Sequence, residues 1–318
     1  MLATTQAFLK RPLTIEVIAI ALLLAIGEAL SPGFASPGQI VNQLLIAALL
    51  GVAAAGQNLV ILSGQEGIDL SVGGVISFGA FLGGNIMQHQ DANLPLAVVA
   101  VVGATFLIGL MNGIGVTLLR IPPLVMTLGM LGVVNGLLVV LTRGLSSGLA
   151  APMLTQIMQP LVFGIPGIVF IWIAIGVIMA LMLGRTTFGL NIYAVGANEE
   201  AAAFAGVPVR RTRMLVFALS GLFSGVAGVL LLGYTSSVFV GAGEQYMLPS
   251  IIAVVIGGTS LAGGSGGYWG TMAGAVFLVV LQSILTTLSI PPFGRQIIYG
   301  AVLLALMLFY GRQRRLRG

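Results

Sequence analysis

Long apolar segments with almost no charge are the feature that most limits what this chain can fold into. Hydrophobic residues make up 58% of its 318 residues and charged residues only 7%. A soluble domain carries roughly 25% charged residues. An apolar outer surface requires lipid as the solvent, where only helices or closed barrels satisfy their own backbone hydrogen bonds. The segments approach the ~20 residues of a membrane-crossing helix. We therefore predict an all-α integral membrane protein.

The apolar segments predict about ten transmembrane helices in a single transmembrane domain over residues 13–311. The third segment is glycine-rich and opens with charge, and the eighth is short, so either is alternatively a re-entrant or broken helix. The predicted segments lie near 13–31, 40–63, 68–87, 94–118, 122–142, 160–183, 214–235, 247–262, 267–288 and 295–311.

Basic residues predict the orientation of these segments, because they accumulate in short cytoplasmic loops. With the amino terminus inside, the 13 basic residues fall in the cytoplasm except for Arg143 and Arg295. Both termini are then cytoplasmic, residues 1–12 as a short amino terminus and residues 312–318 as a basic tail. Topology thus accounts for the basic charge, and nucleic-acid binding is not expected. The predicted cytoplasmic residues are Lys10, Arg11, Arg120, Arg185, Arg210, Arg211, Arg213, Arg312, Arg314, Arg315 and Arg317.

The motif Ile-Pro-Pro occurs twice, at 121–123 and at 290–292, each time at the start of an apolar segment. A glycine-rich stretch precedes each copy, at 67–84 and at 256–267. With ten segments, this pattern is consistent with an inverted internal repeat, as in many transporters. Alternatively, the motif only marks a loop before a helix, since proline favours the first helical turn.

The stretch 63–74 places acidic residues and glycines between two apolar segments. Ionisable groups at membrane depth are costly and tend to face a cavity or a partner. Asp69 or Ser71 could also cap the next helix by accepting its free N–H groups. We favour capping as the main role, which is compatible with lining a pathway.

The loop 184–213 is the longest polar stretch of the chain, and it is predicted to contain a short helix over 197–208. Asn198 is a good amino-terminal cap, and Glu199 and Glu200 suit the positive end of a helix dipole. Gly206 is expected to end the helix. The helix is either a knob for another protein to grip or an ordinary connector between two segments.

The chain offers few residues for catalysis or metal binding. The glycines of 256–267 match no phosphate-binding loop, because the only lysine of the chain is Lys10. Close helix packing or a bend beside a pathway suits that stretch better. With no cysteine and one histidine, His89, we expect no catalytic residues, no metal site and no cofactor.

Three blocks together resemble the permease subunits of ABC importers of the ribose/xylose/galactoside class. They are residues 67–73, residues 185–189 leading into 193–202, and residues 253–264; Ile-Pro-Pro at 121–123 with Thr-Leu-Gly at 127–129 is a weaker fourth. The likeness covers about residues 35–310 in family order. Family members commonly have Ser-Gly-Gly-Ile-Asp-Leu-Ser, whereas Gln65 and Glu66 separate the two glycines here.

The resemblance implies a function and a set of partners. Such permeases pair as homodimers or heterodimers in the bacterial inner membrane and enclose a pathway for a monosaccharide or a similar neutral solute. A periplasmic binding protein delivers the solute, and a cytoplasmic ATPase drives transport. The expected ATPase-coupling residues are Asn198, Glu199, Glu200, Ala201, Ala202, Phe204 and Gly206. The expected pathway residues are Gly67, Asp69, Ser71, Gly73, Thr127, Gly257, Gly258, Thr259 and Ser260.

Two other transport functions remain as alternatives. A branched-chain amino-acid permease of the ABC type would need paired charges or exposed helix ends for a zwitterion, and the few charges here favour a neutral solute. A self-sufficient secondary transporter would need no ATPase, which leaves the 197–208 helix unexplained. A purely structural membrane scaffold would leave the glycine-rich blocks unexplained as well.

Overall fold

The computed structural model describes residues 12–64, 67–143 and 148–315, and most of them lie in helices. The α-helices are α1 Pro12–Leu30, α2 Pro37–Leu62, α3 Val72–Met87, α4 Leu94–Thr117, α5 Pro123–Thr142, α6 Pro152–Ile157, α7 Gly167–Arg185, α8 Thr187–Ala197, α9 Glu199–Phe204, α10 Val209–Thr235, α11 Glu244–Ile256, α12 Tyr268–Thr287 and α13 Pro292–Arg315. A short 3-10 helix, Asp91–Asn93, precedes α4, and strands β1 Pro160–Val162 and β2 Ile165–Pro166 precede α7.

Each of the ten predicted segments coincides with a helix, namely α1 to α5, α7 and α10 to α13. Within the described ranges, six helices are long and apolar enough to cross a membrane: α2, α4, α5, α7, α10 and α12. The chain is therefore an α-helical, multi-pass membrane protein. Helices α3 and α11 are apolar but have only 16 and 13 residues, about 24 and 20 Å at the usual rise. Lys10, Arg11 and Arg317 of the predicted termini lie outside the described residues.

The sixth segment begins later than predicted, because residues 160–166 form a β-hairpin instead of the first turns of a helix. Val162 pairs with Ile165 across a two-residue turn. The turn residues Phe163 and Gly164 both have positive φ, +52° and +76°, as a tight hairpin turn requires. The hairpin presents Phe163 with 96% of its surface exposed. Apolar content alone cannot separate such a hairpin from a helix.

Helices α2 and α10 form the centre of the bundle, and small residues let the backbones approach closely. A side chain at Gly56 of α2 would place its Cβ 2.5 Å from the Cα of Ser220 in α10. A Cβ at Gly109 of α4 would collide with the Phe217 carbonyl oxygen of α10. Small residues at helix contacts are typical of membrane proteins, and such contacts account for part of the glycine content of this chain.

The two Ile-Pro-Pro motifs lie at corners with the same backbone conformation. Arg120 and Ser289, the residues before each motif, both adopt the left-handed region, with φ of +56° and +57°. The first corner joins α4 to α5, and the second joins α12 to α13. A loop before a helix does not require a residue in the left-handed region, so the two corners are similar in backbone conformation as well as in sequence.

Candidate functional site

Asp69 lies in the loop between α2 and α3, where its side chain is buried. One carboxylate oxygen accepts hydrogen bonds from the Ser71 N–H at 2.9 Å and from the Ser71 hydroxyl at 2.5 Å. The other oxygen accepts from the Ser220 hydroxyl of α10 at 2.7 Å. Since both oxygens are hydrogen-bonded to protein groups, Asp69 fixes this loop to α10 and does not face an open pathway in this conformation.

The expectation that the side chain of Asp69 or Ser71 caps α3 is wrong. Ser71 immediately precedes α3, yet its side chain accepts no N–H from the first turn. Its hydroxyl instead donates to Asp69 and accepts from the Asn112 side chain of α4 at 2.9 Å. Asp69 accepts an N–H that precedes the helix rather than one inside it. Bonds to neighbouring helices have replaced the local cap.

Further polar side chains hold the same loop from two other helices. The Thr127 hydroxyl of α5 accepts from the Leu70 N–H at 3.0 Å. With its amide oriented to satisfy both partners, Gln57 of α2 accepts from the backbone N–H of Asp69 at 3.3 Å and donates to its carbonyl at 3.2 Å. A Cβ at Gly67 would lie 2.7 Å from the carbonyl oxygen of Val60. The loop is thus pinned between α2, α4, α5 and α10, while Gln65 and Glu66 lie outside the described residues.

The two short helices α3 and α11 begin at the same point. The Gly243 N–H, just before α11, donates to the Ser77 hydroxyl of α3 at 2.9 Å. A Cβ at Gly73 would lie 3.0 Å from the Cα of Glu244. Two helix amino termini, each with a positive dipole end, therefore meet inside the bundle. Paired broken helices of this kind mark substrate sites in many transporters.

The second glycine-rich stretch, 256–267, is a compact turn that packs against α2 and α12. Asn58 of α2 donates to the hydroxyls of Thr259 and Thr271, at 2.9 Å each. A Cβ at Gly257 would collide with the backbone of Gly270. Thr259 is buried, and the stretch that contains it, with Gly258 and Ser260, is therefore a packing element in this conformation.

Four glycines form a contact that we call the glycine junction: Gly64, Gly196, Gly263 and Gly264. Here the carboxyl ends of α2 and α8 meet the turn 256–267. The Gly264 N–H donates to the Leu62 carbonyl at 3.0 Å, and a Cβ at Gly264 would lie 2.7 Å from the Cα of Ala197. Nearby, Tyr193 of α8 donates to the Gly266 carbonyl at 2.9 Å, and burial raises the pKa of its hydroxyl above the usual value.

Of residues 197–208, which are predicted as one short helix, only Glu199–Phe204 form a separate helix in the structure. Helix α8 runs to Ala197, Asn198 is extended with φ −161°, and α9 covers only six residues. The Asn198 cap is confirmed, since its side chain accepts from the Ala201 N–H at 2.9 Å. The ending at Gly206 is confirmed too, because this glycine follows the helix with φ +83°, a conformation that favours glycine.

Helix α9 has one side that is anchored to the bundle and one side that is exposed. Ala202 is buried, and Glu199 forms an ion pair with Arg213 of α10, with 3.0 Å between Oε2 and Nη2. Glu200 and Ala201 are exposed, and Phe204 exposes 94% of its surface. The segment is thus fixed to the bundle on one side and presents an aromatic ring on the other.

A cavity of about 420 Å³, lined by both polar and apolar side chains, opens between α2, α11, α12 and α13. It lies next to Glu244, the first residue of α11, and so next to the point where α3 and α11 begin. None of its polar lining residues was among the expected pathway residues, although Gln282 interrupts an otherwise apolar segment and could have signalled it. The polar side chains that line it include Glu244, Gln245, Tyr246, Gln282, Arg295, Gln296 and Tyr299.

Comparisons with known proteins agree on the kind of protein that this chain resembles. Residues 39–309 match a family model described as "Branched-chain amino acid transport system / permease component". The Autoinducer 2 import system permease protein LsrC of Escherichia coli O9:H4 (strain HS) is 36% identical over 269 residues, 84% of this chain and 78% of that protein. LsrC of Salmonella paratyphi B (strain ATCC BAA-1250 / SPB7) is 34% identical over 298 residues, covering 93% and 85%. No solved structure gives a significant match.

Proposed function

Because this chain belongs to the family of branched-chain amino acid transport system permease components, it is a transport subunit of an ABC importer, and we propose that it conducts autoinducer 2 or a monosaccharide-like polar solute. Relatives at 34–36% identity are named for autoinducer 2 import. Among the structural features, the cavity beside the paired helix ends supports the proposal most directly. It offers amide, hydroxyl and guanidinium groups, which form hydrogen bonds with a polyhydroxylated solute.

The relatives, more than the cavity, favour a sugar-like solute over a branched-chain amino acid. Proteins 34–36% identical to this chain are named for autoinducer 2 import. The cavity has both polar and apolar lining residues, and its three glutamines and two tyrosines suit a polyhydroxylated solute. Family membership also argues against a self-sufficient secondary transporter, since permeases of this family depend on a separate ATPase.

Replacing two cavity amides tests the solute pathway. We expect the double variant Gln282→Leu, Gln296→Leu to lose roughly thirtyfold in uptake, because each of the two lost hydrogen bonds to the solute is worth about 1 kcal/mol. Gln156→Leu, an exposed glutamine of α6 outside the cavity, is the control. The measurement is uptake of labelled autoinducer 2, ribose and leucine into proteoliposomes with the full importer. Equal uptake by both variants, or preference for leucine, would contradict the proposal.

The exposed face of α9 supports docking of the cytoplasmic ATPase. This coupling segment consists of Asn198, Glu199, Glu200, Ala201, Ala202, Phe204 and Gly206. Within it, Glu199 and Ala202 anchor the helix to the bundle, and Phe204 supplies the ring that binds the ATPase. A small rigid helix with one exposed aromatic side chain suits helix-in-groove recognition. The glycine junction joins the coupling segment to both glycine-rich stretches, so a displacement of α9 reaches the loops that hold Asp69 and Thr259.

The remaining features of the assembly follow from the same proposal. All ten helices cross or enter the bacterial inner membrane, with α3 and α11 as broken helices and both termini cytoplasmic. The two Ile-Pro-Pro corners relate α1–α5 to α7 and α10–α13 as an inverted repeat. A second permease, identical or not, completes the pathway, and a periplasmic binding protein delivers the solute. The residues that position that pathway are Gly67, Asp69, Ser71, Gly73, Thr127, Gly257, Gly258, Thr259 and Ser260.

A further inference from the structure

A second cavity, of about 380 Å³, lies beside the coupling segment. Its walls come from the end of α4, the corner before α5, the start of α10 and Glu199 of α9. The charged lining residues are Arg120, Arg210 and Arg213 against the single carboxylate of Glu199. The cavity therefore has an excess of positive charge, and it is separate from the cavity near α11.

The positions of these charges leave the mouth of the cavity open to an anion. Glu199 is committed to Arg213 at 3.0 Å, and only 9% of the Arg213 side chain is exposed. Arg120 and Arg210 are both exposed at the surface. Helices α5 and α10 also begin at this cavity, and their amino-terminal dipoles add to the positive potential. A phosphate group fits this combination of two guanidinium groups and a positive field.

The surroundings of the cavity indicate where the phosphate comes from. Exposed apolar side chains flank Arg120 on both sides along the chain, namely Leu118, Leu119, Leu124 and Val125. Exposed apolar side chains beside a basic pocket suit acyl chains below a charged headgroup. Free phosphate would gain nothing from these leucines. The orientation predicted from basic residues also places Arg120 and Arg210 on the cytoplasmic side, where anionic lipids concentrate.

We propose that this cavity binds the phosphate of an anionic glycerophospholipid between Arg120 and Arg210, with the acyl chains along the outer surface of α4 and α5. The site adjoins the Glu199–Arg213 pair that fixes α9 to α10. Anionic lipid would therefore neutralise the excess positive charge of Arg120 and Arg210 beside this contact. The proposal concerns lipid binding and does not depend on which solute is transported.

Native mass spectrometry of the purified full chain tests the site, with phosphatidylglycerol and phosphatidylcholine added in equal amounts. The pocket variant combines Arg120→Gln with Arg210→Gln, and the matched control combines Arg185→Gln with Arg211→Gln. Both remove two exposed arginines, but Arg185 and Arg211 do not line the cavity. At about 1 kcal/mol for each basic residue, we expect the pocket variant alone to lose phosphatidylglycerol binding by roughly thirtyfold.

Three outcomes would overturn the proposal. Equal loss of phosphatidylglycerol in both variants would mean that general surface charge binds the lipid. Displacement of the lipid by millimolar inorganic phosphate would mean that a free anion is the natural occupant. If the pocket variant keeps its lipid but fails to retain the ATPase in a pull-down, the arginines bind a protein instead. Circular dichroism and thermal unfolding of both variants establish that they are folded.

Discussion

At the residue scale, Asp69 shows how a carboxylate is accommodated in an apolar bundle. Its two oxygens accept three hydrogen bonds, from the Ser71 N–H, the Ser71 hydroxyl and the Ser220 hydroxyl. An unpaired buried charge would cost several kcal/mol, so the surrounding donors are a condition of its presence. Asp69 therefore fixes the position of the loop between α2 and α3.

Removing the Asp69 carboxylate should destabilise the protein. Asp69→Ala leaves three donors without their acceptor, and we expect a loss of about 3 kcal/mol in the free energy of unfolding. Asp69→Asn keeps an acceptor oxygen and should recover most of the loss. The control is Asp91→Ala, which removes one exposed hydrogen bond to the Met153 N–H. Thermal unfolding in detergent measures all three; a midpoint for Asp69→Ala equal to that of the control would refute the structural role.

At the element scale, the glycine junction connects the coupling segment to the rest of the bundle. A Cβ at Gly196 would collide with the Leu62 carbonyl oxygen, which is a backbone atom that cannot rotate away. We expect Gly196→Ala to lower the free energy of unfolding by about 2 kcal/mol, as overpacking does, and to impair ATP-driven uptake.

Gly184→Ala is the matched control for the junction. Gly184 lies in α7, and a Cβ there would have no neighbour within 4 Å. Alanine is a better helix former than glycine, so this variant should be as stable as the parent or more so. The stability of the two variants is compared by chemical or thermal unfolding, and their transport activity by an uptake assay. If both behave alike, the junction has no mechanical role.

The elements differ in how far the sequence predicts them. The helices that coincide with the predicted segments are recognisable by their apolar content, and six of those described are long enough to cross a membrane. The Asn198 cap and the Gly206 ending are local features, and local rules locate them. The hairpin at 160–166 is missed because Phe163 and Gly164 lie within an apolar stretch. The bonds of Ser71 to Asn112 and of Asn58 to Thr259 join residues 41 and 201 positions apart, and no local pattern reveals such pairs.

At the scale of the whole molecule, the predicted orientation can be tested with single cysteines, because the chain contains none. Phe163 and Phe204 are almost fully exposed, at 96% and 94%, and α7 is the only predicted crossing between them. A membrane-impermeant maleimide should label Phe163→Cys in intact cells and Phe204→Cys only after the membrane is permeabilised. Labelling of both before permeabilisation, or the reverse pattern, would show that the orientation is wrong.

We propose that this permease takes its energy from an ATPase that binds the exposed face of α9. The most direct test compares Phe204→Ala with Phe163→Ala in the reconstituted importer, since both remove an equally exposed phenyl ring. The measured quantity is ATP hydrolysis stimulated by the loaded binding protein. We expect Phe204→Ala to lose about tenfold or more, as an interface anchor does, while Phe163→Ala keeps the parent rate. Full stimulation in Phe204→Ala, with the ATPase still bound, would contradict the account.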